Sequence, residues 1–142
     1  MKRFKFDLEE VLQLRKFREE ECKLVLGQAI GVLNRIENEI KETAVKRHNA
    51  ASQRFTDIGE TATWENYILR LDREAQKLIE KAVQAEIVVD EKRALYLEAS
   101  RALKAVEELK GKKKKEHRKK TMDLQMAEID DLTAARSFLN LE

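Results

Sequence analysis

The sequence contains no proline, only four glycines and a single cysteine. Proline and glycine most often break helices and form turns, so their scarcity argues against β-sandwiches, barrels and doubly wound sheets. The one cysteine, Cys22, cannot form an internal disulfide, which fits a reducing cytosol. No apolar run approaches the roughly 20 residues that span a bilayer, and the N-terminus lacks a signal-peptide core. We therefore expect a helical protein of the cytoplasm.

The remaining composition favours long helices. Charged residues make up 39% of the 142 residues, against about a quarter in an average globular protein, and Ala, Glu, Lys, Leu and Arg together exceed half. The formal net charge of +2 is too small to attract a polyanion or a membrane through the field of the whole molecule. Any affinity for a polyanion or a membrane has to come from a local cluster of charges. We expect a single, nearly all-α domain over residues 1–142.

Apolar residues recur at alternating spacings of four and three, which keeps them on one face of a helix. The first stripe comprises Leu8, Leu12, Arg15, Glu19, Cys22, Leu26, Ala29, Leu33, Ile36 and Ile40, and it loosens through Thr43, Arg47 and Ala50. The second comprises Trp64, Ile68, Leu71, Ala75, Leu78, Ala82, Ala85, Val89, Lys92, Tyr96, Ala99, Leu103 and Val106. Turn-forming residues cluster between the stripes. We predict helix one at about 7–57, a tip at about 57–63 and helix two at about 64–138.

A repeat that averages 3.5 residues specifies a left-handed coiled coil, and the simplest partner of helix two is helix one folded back. In the antiparallel register that we predict, the numbers of paired residues add to 121 or 122. Ile36 then faces Ala85, and Ile40 faces Ala82. A slip by one heptad would look nearly as regular, so the register depends on the position of the tip. The predicted fold class is an all-α, long antiparallel two-helix coiled-coil hairpin with a C-terminal helical overhang.

The overhang is the strongest functional signal in the sequence. Leu8 pairs near Lys113, so the last 29 residues extend past the start of helix one. They carry an apolar stripe of Met122, Met126, Ile129 and Leu132. Exposing a large apolar side chain costs about 1.5–3 kcal/mol, so the stripe predicts a partner molecule that covers it. Self-dimerisation, or packing on the first few residues including Phe4 and Phe6, stays open as an alternative.

No arrangement of residues indicates an enzyme. The two histidines, His48 and His117, lie far apart in the sequence, and no glycine-rich phosphate loop is present. We expect no catalytic residue, no cofactor and no metal site. Trp64 and Tyr67, just after the tip, are interpreted either as a plug for the open end of the coiled coil or as a recognition patch.

A basic run occupies residues 110–120, with eight lysines and arginines and one glutamate. We call seven of its members the basic collar: Lys112, Lys113, Lys114, Lys115, Arg118, Lys119 and Lys120. Such a run can bind nucleic acid phosphates or an anionic lipid surface. However, no aromatic residue interleaves it, and acidic residues follow from Asp123 onwards. The sequence therefore favours a solvated collar or an acidic protein partner.

Three segments together resemble the flagellar FliJ family. They are the opening residues 2–15, the tip residues 56–59 with Trp64–Tyr67, and the closing residues 126–132, which hold an acidic pair within an apolar frame. Asp131 stands where glutamate is more usual in that family. The exposed positions near the tip, such as Arg70 and Glu74, are charged where family members can be more apolar.

The resemblance implies a fold similar to the central stalk coiled coil of rotary ATPases and a non-enzymatic role in the flagellar type III export apparatus. Implied partners are the hexameric export ATPase, the cytoplasmic domain of the export gate and export chaperones, with no nucleic acid and only indirect membrane association. The protein would be cytoplasmic and peripheral to that apparatus. Carried over, the ATPase contact falls on Phe6, Leu8, Met122, Met126, Ile129, Asp130, Asp131 and Leu132. The contact with the gate or another partner falls on Trp64, Asn66, Tyr67, Arg70 and Glu74.

Three other functions remain open on the residues alone. A structural coiled-coil dimer would have twice the 16.6 kDa mass of the monomer. A nucleic-acid binder that uses residues 110–120 would lose affinity steeply with salt. An escort chaperone would form a stable complex with one unfolded export substrate.

Overall fold

The computed structural model describes residues 3–53 and 58–140, and this part of the chain is 94% helical with no strand. It contains two helices, α1 over Glu9–Ala51 and α2 over Ile58–Asn140. The two helices pack against each other, which confirms the all-α class and the two-helix hairpin that the stripes predict.

Helix α1 ends earlier than the predicted residue 57. The backbone N–H and the hydroxyl of Ser52 both donate to the carbonyl oxygen of His48, at 3.0 and 2.8 Å. The N–H of Gln53 donates to the carbonyl of Ala50 at 3.3 Å. These three bonds satisfy carbonyl oxygens of the last turn of α1, which ends at Ala51.

Helix α2 begins six residues before the predicted residue 64. Residues 58–63, which we assigned to the tip, form its first turns. Gly59 has no positive φ, and its carbonyl accepts a hydrogen bond from the hydroxyl of Thr63 at 3.0 Å, four residues on. Glu60 lies in the first turn, where a carboxylate is favoured by the helix dipole. The turn formers here start a helix instead of ending one, and the tip residues Thr56 and Asp57 lie outside the described residues.

The residues of the chain group by their mutual contacts into two compact units. A single domain over residues 1–142 stays a prediction. Unit 2 covers Glu19–Glu98. Its least exposed residues follow the predicted stripes: Leu71, Ala85, Val89, Thr43 and Ala50 are buried, and Leu26, Ala29, Leu33, Ile36, Ile40, Ile68, Ala75, Leu78, Ala82, Lys92 and Tyr96 are half-buried.

The antiparallel register of unit 2 agrees with the predicted one. Ile36 and Ala85, whose numbers add to the expected value, line the same open groove. Arg47, at the loosened end of the stripe, is exposed, and its Nε donates to Oδ1 of Asp72 on the other helix at 2.6 Å. Buried Thr43 donates its hydroxyl to the carbonyl of Glu39 at 2.9 Å. The one buried polar member of the stripe therefore has a hydrogen-bond partner.

Unit 1 combines Met1–Arg18 with Ala99–Glu142. Its buried residues are Leu12 of α1 and Ala99 and Leu103 of α2. Arg15, which we placed on the stripe, is exposed. Unit 1 contains little of α1, and a long charged side chain can reach water there. Only residues 9–18 of α1 are available to cover the part of α2 that starts at Ala99.

Candidate functional site

The terminal segment, residues 122–140, is helical and exposed at every position. Its large apolar side chains retain between 60% and 70% of their accessible surface: Met122, Leu124, Met126, Ile129, Leu132, Phe138 and Leu139. The last half-buried residue before it is Thr121, whose hydroxyl donates to the carbonyl of His117 at 2.9 Å. No described part of unit 1 covers the segment, as the sequence predicts.

The apolar residues of the terminal segment lie on more than one side of the helix. Met122, Met126 and Ile129 are spaced by four and three residues and share a face. Leu124 is rotated by about 200° from Met122, because each residue of an α-helix advances by about 100°. Phe138 lies on the same side as Leu124 by the same geometry. A partner with one flat surface would cover only one of these faces.

Phe6 and Leu8 lie beside an earlier part of α2 than the terminal segment. With Leu109, Lys113 and His117 they line a hollow of about 550 Å³. Residue 117 precedes Met126 by nine positions, or about 13 Å of helix. The structure thus brings Leu8 next to Lys113, as the register predicts, and it does not bring Phe6 or Leu8 to residues 126–132. The assignment of all eight predicted ATPase-contact residues to one site stays a prediction.

An ion pair ties the start of α1 to α2 within unit 1. Lys110 Nζ donates to Glu9 Oε2 at 2.9 Å, and Gln13 Nε2 donates to Glu9 Oε1 at 3.1 Å. The hydrogen bond from Lys110 is the main reason why the pKa of the Glu9 carboxyl lies below its ordinary value. The hydrogen bond from Gln13 lowers that pKa further. The pair fixes the first turn of α1 at the level of Lys110.

All seven residues of the basic collar are exposed. Lys113 lies 3.7 Å from Glu116. Next to the collar, the ring of Phe4 packs against the ring of His117 with a centroid distance of 5.5 Å. Sequence reasoning did not connect Phe4 with the collar, although the predicted register, in which paired numbers add to about 121, already pairs Phe4 with His117.

The start of α2 presents an aromatic and basic cluster in unit 2. Trp64 and Tyr67 form an edge-to-face pair with a centroid distance of 5.6 Å, and the Arg70 guanidinium lies 5.5 Å from the Tyr67 centroid. All three residues line a hollow of about 390 Å³. The remaining lining residues are Lys46, Asn49, Ala50, Gln53 and Thr63.

Both interpretations of Trp64 and Tyr67 have support in this geometry. The two rings are half-buried, as a plug would be, yet they also form a wall of an open hollow. Asn66 is exposed and lines a neighbouring hollow with Tyr67 and Arg70. Glu74 is exposed one turn further along α2. Such a cluster of aromatic and arginine side chains is the composition of protein-binding hot spots.

The described residues contain no group of three or more histidine, cysteine or carboxylate side chains that could hold a metal ion. Within the same ranges, neither helix is both long and apolar enough to cross a membrane. The candidate sites are three exposed or open surfaces: the terminal segment, the collar and the cluster around Trp64.

Comparison with known proteins supplies the remaining evidence. A family model described as "Flagellar FliJ protein" matches residues 4–142. No curated protein and no solved structure matches the chain. Because the match spans nearly the whole sequence, the chain belongs to the flagellar FliJ family, a family of non-catalytic components of the flagellar export apparatus.

Proposed function

We propose that this chain is a stalk in the flagellar type III export apparatus. Its terminal segment binds the central opening of the hexameric export ATPase and regulates that enzyme. The cluster around Trp64 binds the cytoplasmic domain of the export gate and the chaperones that deliver export substrates. The protein works in the cytoplasm, peripheral to the membrane, and catalyses no reaction itself.

The observation that carries the proposal is the exposure of the entire terminal segment. Seven large apolar side chains lie in water there, and burying each one would contribute about 1.5–3 kcal/mol. Because they point to more than one side of the helix, a socket that encloses the helix covers them better than a single groove does. The opening of a ring has that shape.

Methionine at two positions of the segment suits such a socket. Met122 and Met126 have flexible, unbranched side chains that repack easily against different neighbours. A helix in the centre of a six-membered ring meets six equivalent surfaces, while its own surface has no sixfold symmetry. Adaptable side chains allow the same helix face to bind any of them.

The cluster around Trp64 supports the second contact. Large aromatic rings and arginine dominate the binding energy of many interfaces, and here they surround a hollow large enough for one or two partner side chains. Lys46 and Arg70 add positive charge to its rim. This positive rim favours a partner surface with carboxylates.

The proposal is tested by replacing two apolar residues of the terminal segment with aspartate. We expect the double variant Met126→Asp, Ile129→Asp to lose stimulation of the export ATPase by at least tenfold, since a charged group buried in the socket costs several kcal/mol. Circular dichroism should show the helix content of the wild type, because both positions are exposed.

A matched control is available on α1. Leu14 and Phe17 have the same spacing of three residues and exposures of 65% and 64%, close to those of Met126 and Ile129. The double variant Leu14→Asp, Phe17→Asp should stimulate the ATPase as the wild type does. Stimulation that survives in the terminal-segment variant, or is lost equally in the control, would show that the socket contact is wrong.

A further inference from the structure

The fold brings the N-terminal residues onto the basic collar. Phe4 and Phe6 are half-buried and line two hollows of unit 1, one with Lys113 and Lys120 and the other with Lys110 and Lys114. The residues between and before them, Arg3 and Lys5, are exposed. We call residues 3–6 and 110–120 together the basic patch. The two parts are more than 100 positions apart in the sequence.

The basic patch concentrates positive charge. It contains ten lysines and arginines and one glutamate, in a chain whose net charge is only +2. Lys110 is neutralised by Glu9, and Lys113 by Glu116. Within residues 3–53 and 58–140, the structure shows no ion pair for the other six basic residues of the 110–120 run: Lys112, Lys114, Lys115, Arg118, Lys119 and Lys120. These six cations are available to an external anion.

We infer that the basic patch binds the surface of an anionic lipid bilayer. The inference goes beyond the proposed function and rests on the charge and the position of the patch alone. Four to eight lysines and arginines beside one another on a helix are sufficient to attract an anionic leaflet, and eight of the ten basic residues of the patch form no ion pair within the described residues. The remaining exposed surface of Phe4 and Phe6 adds an apolar contribution at the headgroup level.

The same geometry disfavours a nucleic acid as the anion. Single strands bind to basic grooves whose aromatic rings stack on the bases. Here Phe4 packs against His117 at 5.5 Å, and both phenylalanines are half-buried, which reduces the ring surface that a base could stack on. A phosphate chain that continued along α2 would also meet Asp123 and Glu128. A bilayer that touches α2 only at the patch avoids those carboxylates.

Sedimentation of the purified full-length chain with lipid vesicles tests the inference. We expect binding to phosphatidylglycerol vesicles, no binding to phosphatidylcholine vesicles, and release from the anionic vesicles at high salt. Each cation near an anionic surface changes partitioning about fivefold. The variant Lys112→Gln, Lys115→Gln, Arg118→Gln, Lys119→Gln should therefore bind the anionic vesicles at least about a hundredfold more weakly.

A control variant that loses the same number of charges elsewhere separates the effect of the patch on vesicle binding from the effect of net charge. Lys23, Lys41, Lys81 and Lys104 are exposed and lie outside the patch. Their joint replacement by glutamine should weaken vesicle binding less than tenfold. Equal binding to both kinds of vesicle, an equal loss in the control, or binding to polyuridylate at salt concentrations that release the vesicles would overturn the inference.

Stimulation of the ATPase without vesicles, measured on the same preparations, keeps the two proposals apart. The patch variant should stimulate normally, since the terminal segment is unchanged. Normal stimulation without vesicle binding by the wild type would overturn only the membrane inference. Vesicle binding without stimulation would overturn only the ATPase contact.

Discussion

Units 1 and 2 are built from the same two helices, yet they use their apolar residues differently. Unit 2 covers its stripe along both helices, from Leu26 to Ala50 except for the exposed Arg47, and from Trp64 to Tyr96. Unit 1 covers α2 only as far as Thr121 and leaves every residue from Met122 to Asn140 exposed. The difference follows from length, since α1 supplies 33 residues to unit 2 and only ten to unit 1.

The comparison separates residues that stabilise the fold from residues that are free to bind. A buried stripe contributes to the free energy of unfolding of the chain alone. An exposed stripe contributes nothing to the free energy of unfolding. Its hydrophobic free energy is gained only when a partner covers the stripe. Substitutions of the same chemical kind should therefore have different effects in the two units.

The largest effect is expected in the buried stripe of unit 2. Leu71 is 3% exposed, and Leu71→Ala should lower the free energy of unfolding by about 2–5 kcal/mol, because it removes packed atoms and leaves a cavity. Urea denaturation measures the change. Leu69→Ala, at a position 54% exposed on the same helix, should change it by less than about 0.5 kcal/mol. Equal effects at the two positions would contradict the assigned stripe.

A smaller effect is expected at the ion pair that joins α1 to α2 in unit 1. Glu9→Gln should destabilise the start of α1 slightly at neutral pH. The folded-state pKa of Glu9 lies below the unfolded value, so the pair stabilises above the ordinary pKa of a glutamate, about 4.3, and that contribution is lost as the pH falls through the folded pKa. Urea denaturation of the wild type and the variant at neutral and acidic pH should show the difference disappearing in acid.

Glu10→Gln is the control for this measurement. Glu10 is exposed, and the described residues show no ion pair for it. Its replacement should change the stability at neutral pH less than Glu9→Gln does, because it removes no ion pair that the described residues show. A Glu9→Gln variant with unchanged stability at neutral pH would show that the ion pair with Lys110 does not stabilise the first turn of α1.

The smallest effect on stability is expected in the terminal segment. Leu124→Ala should change the free energy of unfolding by less than about 0.5 kcal/mol, because Leu124 is 67% exposed. Leu103→Ala, in the buried part of unit 1, should cost about 2–5 kcal/mol. A loss above about 1 kcal/mol at Leu124 would mean that the segment packs within its own protomer.

Much of the fold was predictable because it depends on a regular repeat. Spacings of four and three place residues on one helix face whatever their neighbours are, so the buried residues Leu71, Val89 and Leu103 were identified correctly. The tip was predicted less well. Gly59 and Thr63 have the composition of a turn, but a hydrogen bond from the Thr63 hydroxyl to the Gly59 carbonyl accompanies a helix there.

The candidate site was predictable only in part. The exposed terminal stripe follows from counting residues in the register, whereas the partners of Phe6 do not follow from its sequence neighbours. The assembly of Arg3 and Lys5 with the collar also depends on a contact between chain segments more than 100 residues apart. No aromatic residue interleaves the collar in the sequence, whereas the fold places Phe4 and Phe6 from the other end of the chain beside it.

The sequence by itself determined the helices, the residues that face each other and the unequal length of the two arms, because these depend on local propensity and on a periodic pattern. Tertiary structure decided which ring contacts and hollows the N-terminal residues form with the collar, and which hydrogen bonds and ion pairs join α1 to α2. These features depend on packing and hydrogen bonds between distant segments, whose energies no single stretch of sequence contains.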